Sequence, residues 1–137
     1  MRRALKPGGR FVAEMGGHGN IAAIRVALLA VLSRWGLESS EIDCNYFPTP
    51  AICAARLQRH DFDVPYIELI PRPTILPASG MRGWLETFRR GVLEKIPENE
   101  REQSVDKCVR LLSPALQDEE GNWTADYVRL RFMAVAV

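Results

Sequence analysis

The chain has 137 residues, 47% of them hydrophobic, and its 18 Lys and Arg nearly balance 17 Asp and Glu to give a formal charge of +1. This length suits one globular domain, and the near-neutral charge argues against binding to nucleic acid or to an anionic membrane. The three cysteines form no C-x-x-C pair and neither histidine lies at zinc-ligand spacing, so we expect reduced thiols, no metal site and a cytoplasmic location.

The beginning of the chain reads as the last turn of a helix followed by a tight turn, LKPGG at residues 5–9. It contains no apolar segment of signal-peptide or membrane-spanning length. The short apolar stretch at residues 10–15 then predicts a buried strand. Because the chain opens inside an element, we expect the beginning of the domain to be missing from this sequence.

Two helices are predicted next. Apolar residues recur at helical spacing between Ile21 and Trp35, with Asn20 as a plausible N-cap and Gly36 at the C-terminal end. Thr49 before a proline predicts the start of a second helix, over residues 50–59. That helix is expected to bury Ile52, Ala55 and Leu57.

The middle of the chain is predicted to contain a strand at residues 64–70, an irregular proline-rich segment at 71–80, and two helices at 81–96 and 98–116. The first of these helices should place Trp84, Leu85, Phe88, Val92 and Ile96 on one side. The second should place Val105, Cys108, Val109 and Leu112 together.

The last segment, residues 127–137, is the strongest strand prediction. Apolar residues alternate there with Arg129 and Arg131. Only three strands are predicted in the whole chain, which is few for its length and again suggests part of a larger sheet.

A glycine turn follows the first predicted strand. Residues 17–22, GHGNIA, fit the G-x-G-x-x-A pattern of dinucleotide-binding loops. Such a loop needs a second strand that ends in an acid about 20 residues further on. The candidates Glu38, Glu41 and Asp43 lie in or beside a polar run with no β-branched strand before them. A flexible strand-to-helix turn is therefore favoured, and a nucleotide-binding half-domain is kept as an alternative.

Several segments, in order, resemble one family. LKPGGRFV at residues 5–12 resembles the L-K-P-G-G-x-[FL]-[VL] segment of class I S-adenosylmethionine-dependent methyltransferases, which leads into the fifth strand of their sheet. Residues 14–21 resemble the end of that strand and the next helix in the subgroup near trans-aconitate methyltransferase. FPTP at 47–50 resembles the turn of that subgroup, RGWL at 82–85 a lid helix, and residues 126–132 the final strand.

The resemblance covers only the C-terminal half of the family's domain. It implies an α/β fold, the C-terminal portion of a Rossmann-like methyltransferase sheet with three strands, the last antiparallel in the middle. It divides the chain into a strand–helix–helix–strand part at 1–70, a helical lid insertion at 71–123 and the final strand at 124–137. The edge of the first strand would lack a partner, which invites self-association or pairing with a separate N-terminal half.

The function that the resemblance implies is S-adenosylmethionine-dependent methyl transfer to a small-molecule acceptor. The family's glycine-rich cofactor motif cannot be placed in this chain, so no cofactor-binding residue is expected here and the chain alone is expected to be inactive. The alternative function is a non-catalytic remnant or interaction module that pairs with a separate N-terminal half.

Five residues are candidates for the site. His18 follows the carboxyl end of a strand and is a candidate base or hydrogen-bond partner, or simply an exposed loop histidine. Arg72 and Arg82 flank the proline-rich entry to the lid and would bind a carboxylate, unless they are ordinary surface charges. Trp84 and Phe88 share a helix face and would roof the acceptor pocket, or pack in the core.

Overall fold

The computed structural model describes residues 2–137. Its strands are β1 Arg10–Gly16, β2 Phe62–Pro71, β3 Thr74–Ile75, β4 Thr124–Ala125 and β5 Val128–Ala136. Its α-helices are α1 Ala22–Leu32, α2 Ser39–Ile42, α3 Pro50–Gln58, α4 Gly80–Phe88, α5 Arg90–Leu93 and α6 Glu98–Leu116. Short 3-10 turns cover Arg2–Ala4 and Ser33–Trp35.

The main sheet has the strand order β1–β5–β2, and β5 runs antiparallel to both neighbours. The predicted α/β fold, with the last strand of the chain in the centre of the sheet, is confirmed. The register places Glu14 opposite Arg131, and Arg131 opposite Glu68. This row of alternating charge crosses all three strands.

Two compact units make up the described chain. The sheet unit contains the residues up to Asn20 together with Tyr46–Arg72 and Tyr127–Val137, and so holds β1, α3, β2 and β5. The helical unit contains Ile21–Asn45 and Pro73–Asp126. It is wider than the segment predicted as a lid, because it also includes α1 and α2.

The core of the sheet unit forms on one face of β5. Leu130, Phe132, Ala134 and Ala136 alternate along the strand and are no more than 3% exposed, because side chains two residues apart share a face of a sheet. Phe11 of β1 adds an edge-to-face contact with Phe132, with ring centroids 5.0 Å apart.

Helix α3 begins where the sequence predicts. The Thr49 hydroxyl accepts a hydrogen bond from the Ile52 N–H at 3.3 Å, and Pro50 occupies the first turn. The predicted buried face is wrong at Ile52, which is 51% exposed, whereas Cys53 is 7% exposed and joins the core. Adjacent residues of a helix point in directions roughly 100° apart, so the packing of α3 against β2 decides whether Ile52 or Cys53 is buried.

The helical unit is held together mainly by α1 packed against α6. Leu28 and Leu32 of α1, with Cys108 and Leu112 of α6, are at most 2% exposed. The Cys108 thiol lies 3.8 Å from the carbonyl oxygen of Ala27. Burial raises the pKa of the Cys108 thiol to about 12, so it serves as a small apolar core residue.

The start of α1 differs from the sequence prediction. The N-cap residue is Ile21, in a left-handed conformation with φ 49°, not Asn20. The side chain of Asn20 instead accepts a hydrogen bond from the N–H of Val128 at 2.8 Å. The side chain that the local sequence pattern predicts as the N-cap of α1 is therefore bound by β5, a strand far away in the sequence.

The helix predicted at 81–96 is broken in two. Arg89 leaves the helical region, with φ −121° and ψ 14°, and α5 begins at the next residue. Trp84 and Leu85 are buried as predicted, but Phe88 is 62% exposed because it lies at the break. The proline-rich segment is not wholly irregular either, since Thr74 and Ile75 form β3 and pair with β4.

Candidate functional site

The turn after β1 is tightly packed by neighbouring side chains. A Cβ on Gly16 would lie 2.5 Å from the ring of Phe47, and one on Gly17 would lie 2.9 Å from the Cβ of Leu130. Gly17 also donates its N–H to the carbonyl of Val128 at 3.0 Å. The chain reverses here because only glycine fits so close to other atoms.

The same turn does not fit a cofactor phosphate. The N–H groups of Gly17 and His18 already donate to the carbonyls of Val128 and Pro48, at 3.0 and 2.9 Å. At the start of α1 the N–H of Ala23 donates to the Asp126 carboxylate at 2.8 Å. A phosphate site needs free N–H groups without an acid beside the helix N-terminus, so residues 17–22 do not suit a dinucleotide.

His18 is exposed at the carboxyl end of β1. Its backbone is anchored to Pro48 while its imidazole is accessible to solvent. This placement allows contact with a ligand at that end of the sheet, and its role stays a prediction.

A cluster of three arginines surrounds Glu14 of β1. One Glu14 oxygen accepts from Arg72 Nη1 at 3.0 Å and Arg129 Nε at 3.3 Å. The other accepts from Arg131 through Nη2 at 2.7 Å and Nε at 3.0 Å. Glu68 lies in the same row across the sheet. The three guanidinium groups therefore have two carboxylates, Glu14 and Glu68, as neighbours. Arg72 is the most accessible of the three, with 63% of its side chain exposed.

Hydrogen bonds hold Glu14 in its charged form. The hydrogen bond from Arg131 is the main reason that the pKa of Glu14 is lowered. Burial opposes it as the second-largest effect, and Arg129 and Arg72 each lower the pKa further by a smaller amount. The sequence singled out Arg72 beside the proline-rich segment and showed Arg129 and Arg131 only as alternation on the last strand, with no link to Glu14. Their meeting depends on the strand register, which no local pattern specifies.

This lowered pKa predicts a specific dependence of stability on pH. A glutamate in an unfolded chain has a pKa of about 4.3. The stabilisation by Glu14 is therefore fully present above that pH, and it is lost as the pH falls through the lower pKa that Glu14 has in the folded protein. In Glu14→Gln we expect a smaller loss of the free energy of unfolding between neutral and acidic pH than in the wild type. Urea titrations at several pH values measure the difference.

The matched control is Glu119→Gln, because Glu119 is an exposed residue of the turn before β4. It should leave the acid dependence close to that of the wild type. If Glu14→Gln keeps the full acid dependence, the arginine cluster does not stabilise the folded state through this charge.

Arg82 and Trp84, the other predicted acceptor-binding residues, lie in the helical unit. Arg82 forms an ion pair with Asp106 and a second with Glu86 at 3.4 Å. The cavity beside it, of about 570 Å³, is lined by four glutamates and three arginines. Trp84 is 7% exposed and its ring centroid lies 5.2 Å from that of Phe88. Phe88 therefore presents the accessible ring of this pair.

Two general findings concern the described residues alone. Among residues 2–137, no group of three His, Cys, Asp or Glu side chains is arranged to hold a metal ion. None of the helices in that range is long and apolar enough to cross a membrane.

Comparison with known proteins identifies the fold. The chain is 31% identical over 135 residues to an uncharacterized methyltransferase of Schizosaccharomyces pombe, an alignment that covers 96% of this chain and 51% of that protein. Its structure is similar to the crystal structure of a protein from Bacillus halodurans that is named a "putative methyltransferase", with a TM-score of 0.50 and 12% identity. That match covers 98% of this chain and 54% of the other. The fold is therefore similar to that of about half of the Bacillus halodurans structure.

The chain spans about half the length of both similar proteins. No protein-family model matches the chain. The subgroup near trans-aconitate methyltransferase, suggested by the short motifs, stays a prediction.

Proposed function

We propose that the chain is the acceptor-binding part of an S-adenosylmethionine-dependent methyltransferase that acts on a small carboxylate-bearing molecule. One observation carries the methyltransferase assignment: nearly the whole chain aligns at 31% identity with a protein named as a methyltransferase. The antiparallel β5 at the centre of the sheet supports the same assignment.

The cofactor would be held by polypeptide outside the present sequence. S-adenosylmethionine supplies an activated methyl group, so the protein's contribution is mainly to bind and orient the acceptor. In the glycine turn, the N–H groups of Gly17 and His18 already donate to the carbonyls of Val128 and Pro48. We therefore assign the residues of this chain to binding of the acceptor.

The acceptor's carboxylate would bind at the arginine cluster around Glu14. Arginine pairs with carboxylates through two parallel hydrogen bonds, and three guanidinium groups here share Glu14. Arg72 is the most accessible, so we assign it the main contact. Arg82 is the weaker choice, since Asp106 and Glu86 already neutralise it. Trp84 and Phe88 lie in the helical unit, and their part in acceptor binding stays a prediction.

His18 is the candidate for a hydrogen bond to the acceptor or for taking a proton from it. It lies at the carboxyl end of β1, which is the usual ligand side of such sheets. A carboxylate is already deprotonated at neutral pH, so a base is required only where another group of the acceptor is methylated.

A second candidate function is a module that pairs with a separate N-terminal half. Within the described residues β1 pairs with β5 alone, which leaves its other edge open, and Val12 on β1 is 65% exposed. Unpaired strand edges with apolar side chains favour association. This function and the enzymatic one are compatible when the second half carries the cofactor site.

A chimera tests the methyltransferase proposal. The part of the Schizosaccharomyces pombe relative outside the aligned half is joined to this chain, and S-adenosylmethionine binding is measured by calorimetry. Methyl transfer is then assayed on a panel of small carboxylic acids and their amides. We expect cofactor binding and turnover of at least one acid but not its amide. Arg72→Ala should raise KM for that acid roughly 10- to 100-fold.

Arg110→Ala is the matched control, because Arg110 is exposed on α6 in the helical unit. It should leave KM unchanged. A folded chimera that binds no S-adenosylmethionine contradicts the cofactor assignment. One that binds it but methylates amides as well as acids contradicts the role of the arginine cluster.

A further inference from the structure

A cavity of about 420 Å³ lies within the helical unit, lined by α2 and by the junction of α4 with α5. Small-molecule sites have volumes of about 300–1,000 Å³. The buried side chains of Ile42 and Val92 give the cavity an apolar part, and the exposed ring of Phe88 lines it as well. These walls suit a ligand with an aromatic part.

Arg89 supplies this cavity with a cation that has no carboxylate partner. Its Nε is buried without a hydrogen-bond partner, and no residue of the described range forms an ion pair with its guanidinium. Arg82 and Arg90, close by in the sequence, each pair with a carboxylate. The Cζ atom of Arg89 lies 5.6 Å from the centre of the Trp84 ring, which holds the half-buried guanidinium in place. A half-buried charge without a counterion favours an anionic ligand.

The other cation that lines the cavity is already neutralised. The Nζ atom of Lys95 lies 3.0 Å from one carboxylate oxygen of Glu41, and the second oxygen accepts the N–H of Glu38 at 3.0 Å. The bond from Glu38 and then the one from Lys95 lower the pKa of Glu41, so its carboxylate is charged at neutral pH. Among the described residues that line the cavity, one positive charge is therefore uncompensated, that of Arg89.

We propose that this cavity binds a small aromatic molecule that carries a single carboxylate. The carboxylate pairs with Arg89 through charge-assisted hydrogen bonds, and the ring packs against Phe88 and the apolar side chains of Ile42 and Val92. One negative charge on the ligand matches the one uncompensated charge of the cavity. A dianion such as a phosphate monoester brings a surplus negative charge close to Glu41, so it binds less well.

Cys44 makes binding in this cavity measurable. It lines the cavity and is exposed, whereas Cys53 and Cys108 are buried. The uncharged reagent N-ethylmaleimide should therefore label Cys44 alone in the folded chain, which mass spectrometry of a digest detects. A ligand in the cavity should slow this labelling, and the dependence of the rate on ligand concentration gives the dissociation constant.

Three probes separate the contributions of the charge and the ring. Phenylacetate carries both, phenylacetamide lacks the charge, and acetate lacks the ring. We expect phenylacetate to bind at least about tenfold more tightly than either, a difference of about 1.4 kcal/mol. Protection by phenylacetate should weaken as the salt concentration rises, because part of the attraction is between charges.

Arg89→Gln should bind phenylacetate no more tightly than the wild type binds phenylacetamide. Its matched control is Arg90→Gln, which makes the same charge change at the next residue, where the side chain pairs with Glu94 and does not line the cavity. The control should bind phenylacetate like the wild type.

Glu41→Gln tests the charge balance in the opposite direction. It removes the carboxylate that neutralises Lys95, so phenyl phosphate, a dianion, should bind more tightly than it does to the wild type. An unchanged preference for phenylacetate over phenyl phosphate would contradict the charge balance from which a single carboxylate is inferred.

Four further results would overturn the inference. Phenylacetate does not protect Cys44; phenylacetamide protects it equally, so that the charge plays no part; acetate protects it equally, which indicates a site for any small anion; or Arg89→Gln, shown to be folded by unlabelled Cys53 and Cys108, keeps the wild-type affinity. All of these measurements use the chain without S-adenosylmethionine and without turnover, so the inference does not depend on the proposed function.

Discussion

Replacing Gly17 by alanine is expected to lower the free energy of unfolding by about 1–3 kcal/mol. The added Cβ would lie 2.9 Å from the Leu130 Cβ and 3.2 Å from the Leu130 backbone nitrogen, and it would also meet the end of the Leu69 side chain. Leu69 can rotate away, but Leu130 lies on the central strand and its backbone is held by hydrogen bonds on both sides. Urea denaturation followed by circular dichroism measures the change.

A second glycine provides the control for this effect. Gly91 lies in α5, and a Cβ there meets nothing within 4 Å. Gly91→Ala should therefore leave stability unchanged or raise it by up to about 1 kcal/mol, because alanine favours the helix. The double variant Gly17→Ala/Leu69→Ala should lose less than the sum of the two single changes. Full additivity would mean that the two side chains do not compete for the same space.

Leu130→Ala is expected to be more damaging, with a loss of about 2–5 kcal/mol in the free energy of unfolding. Leu130 is fully buried, it pairs with Met15 on one side and Leu69 on the other, and it also closes the space behind Gly17. Truncation removes apolar contact with both outer strands and leaves a cavity that the sheet backbone cannot close. The midpoint of urea denaturation should fall accordingly.

Leu111→Ala makes the same chemical change on the surface. Leu111 is 56% exposed on α6, so its truncation should cost no more than about 0.5 kcal/mol. Similar losses at Leu130 and Leu111 would contradict the placement of Leu130 at the centre of the core.

Gly17 and Leu130 link stability to the candidate site. The turn that Gly17 permits carries His18, and β5 carries Arg129 and Arg131 beside Glu14. A variant that disturbs the turn would thus change both the position of the histidine and the packing of the strand that bears the arginines. A change of acceptor affinity in Gly17→Ala should therefore accompany its loss in the free energy of unfolding.

Most of the helices and strands could be predicted from the sequence alone. Alternation of apolar residues located β5, and Thr49 before Pro50 marked the start of α3, because both signals act between residues a few positions apart. Short motifs that resemble those of methyltransferases predicted the strand order. The fold could be predicted because its local preferences agree with the sheet that they build.

The tertiary structure decided the rest, where distant groups compete for the same residue. The buried face of α3 includes Cys53 rather than Ile52, since β2 determines which side of the helix is covered. Asn20 bonds to Val128 rather than capping α1, and Glu14 meets its arginines only through the pairing of β1 with β5. Register and packing join residues more than a hundred positions apart, and no signal confined to neighbouring residues contains that information.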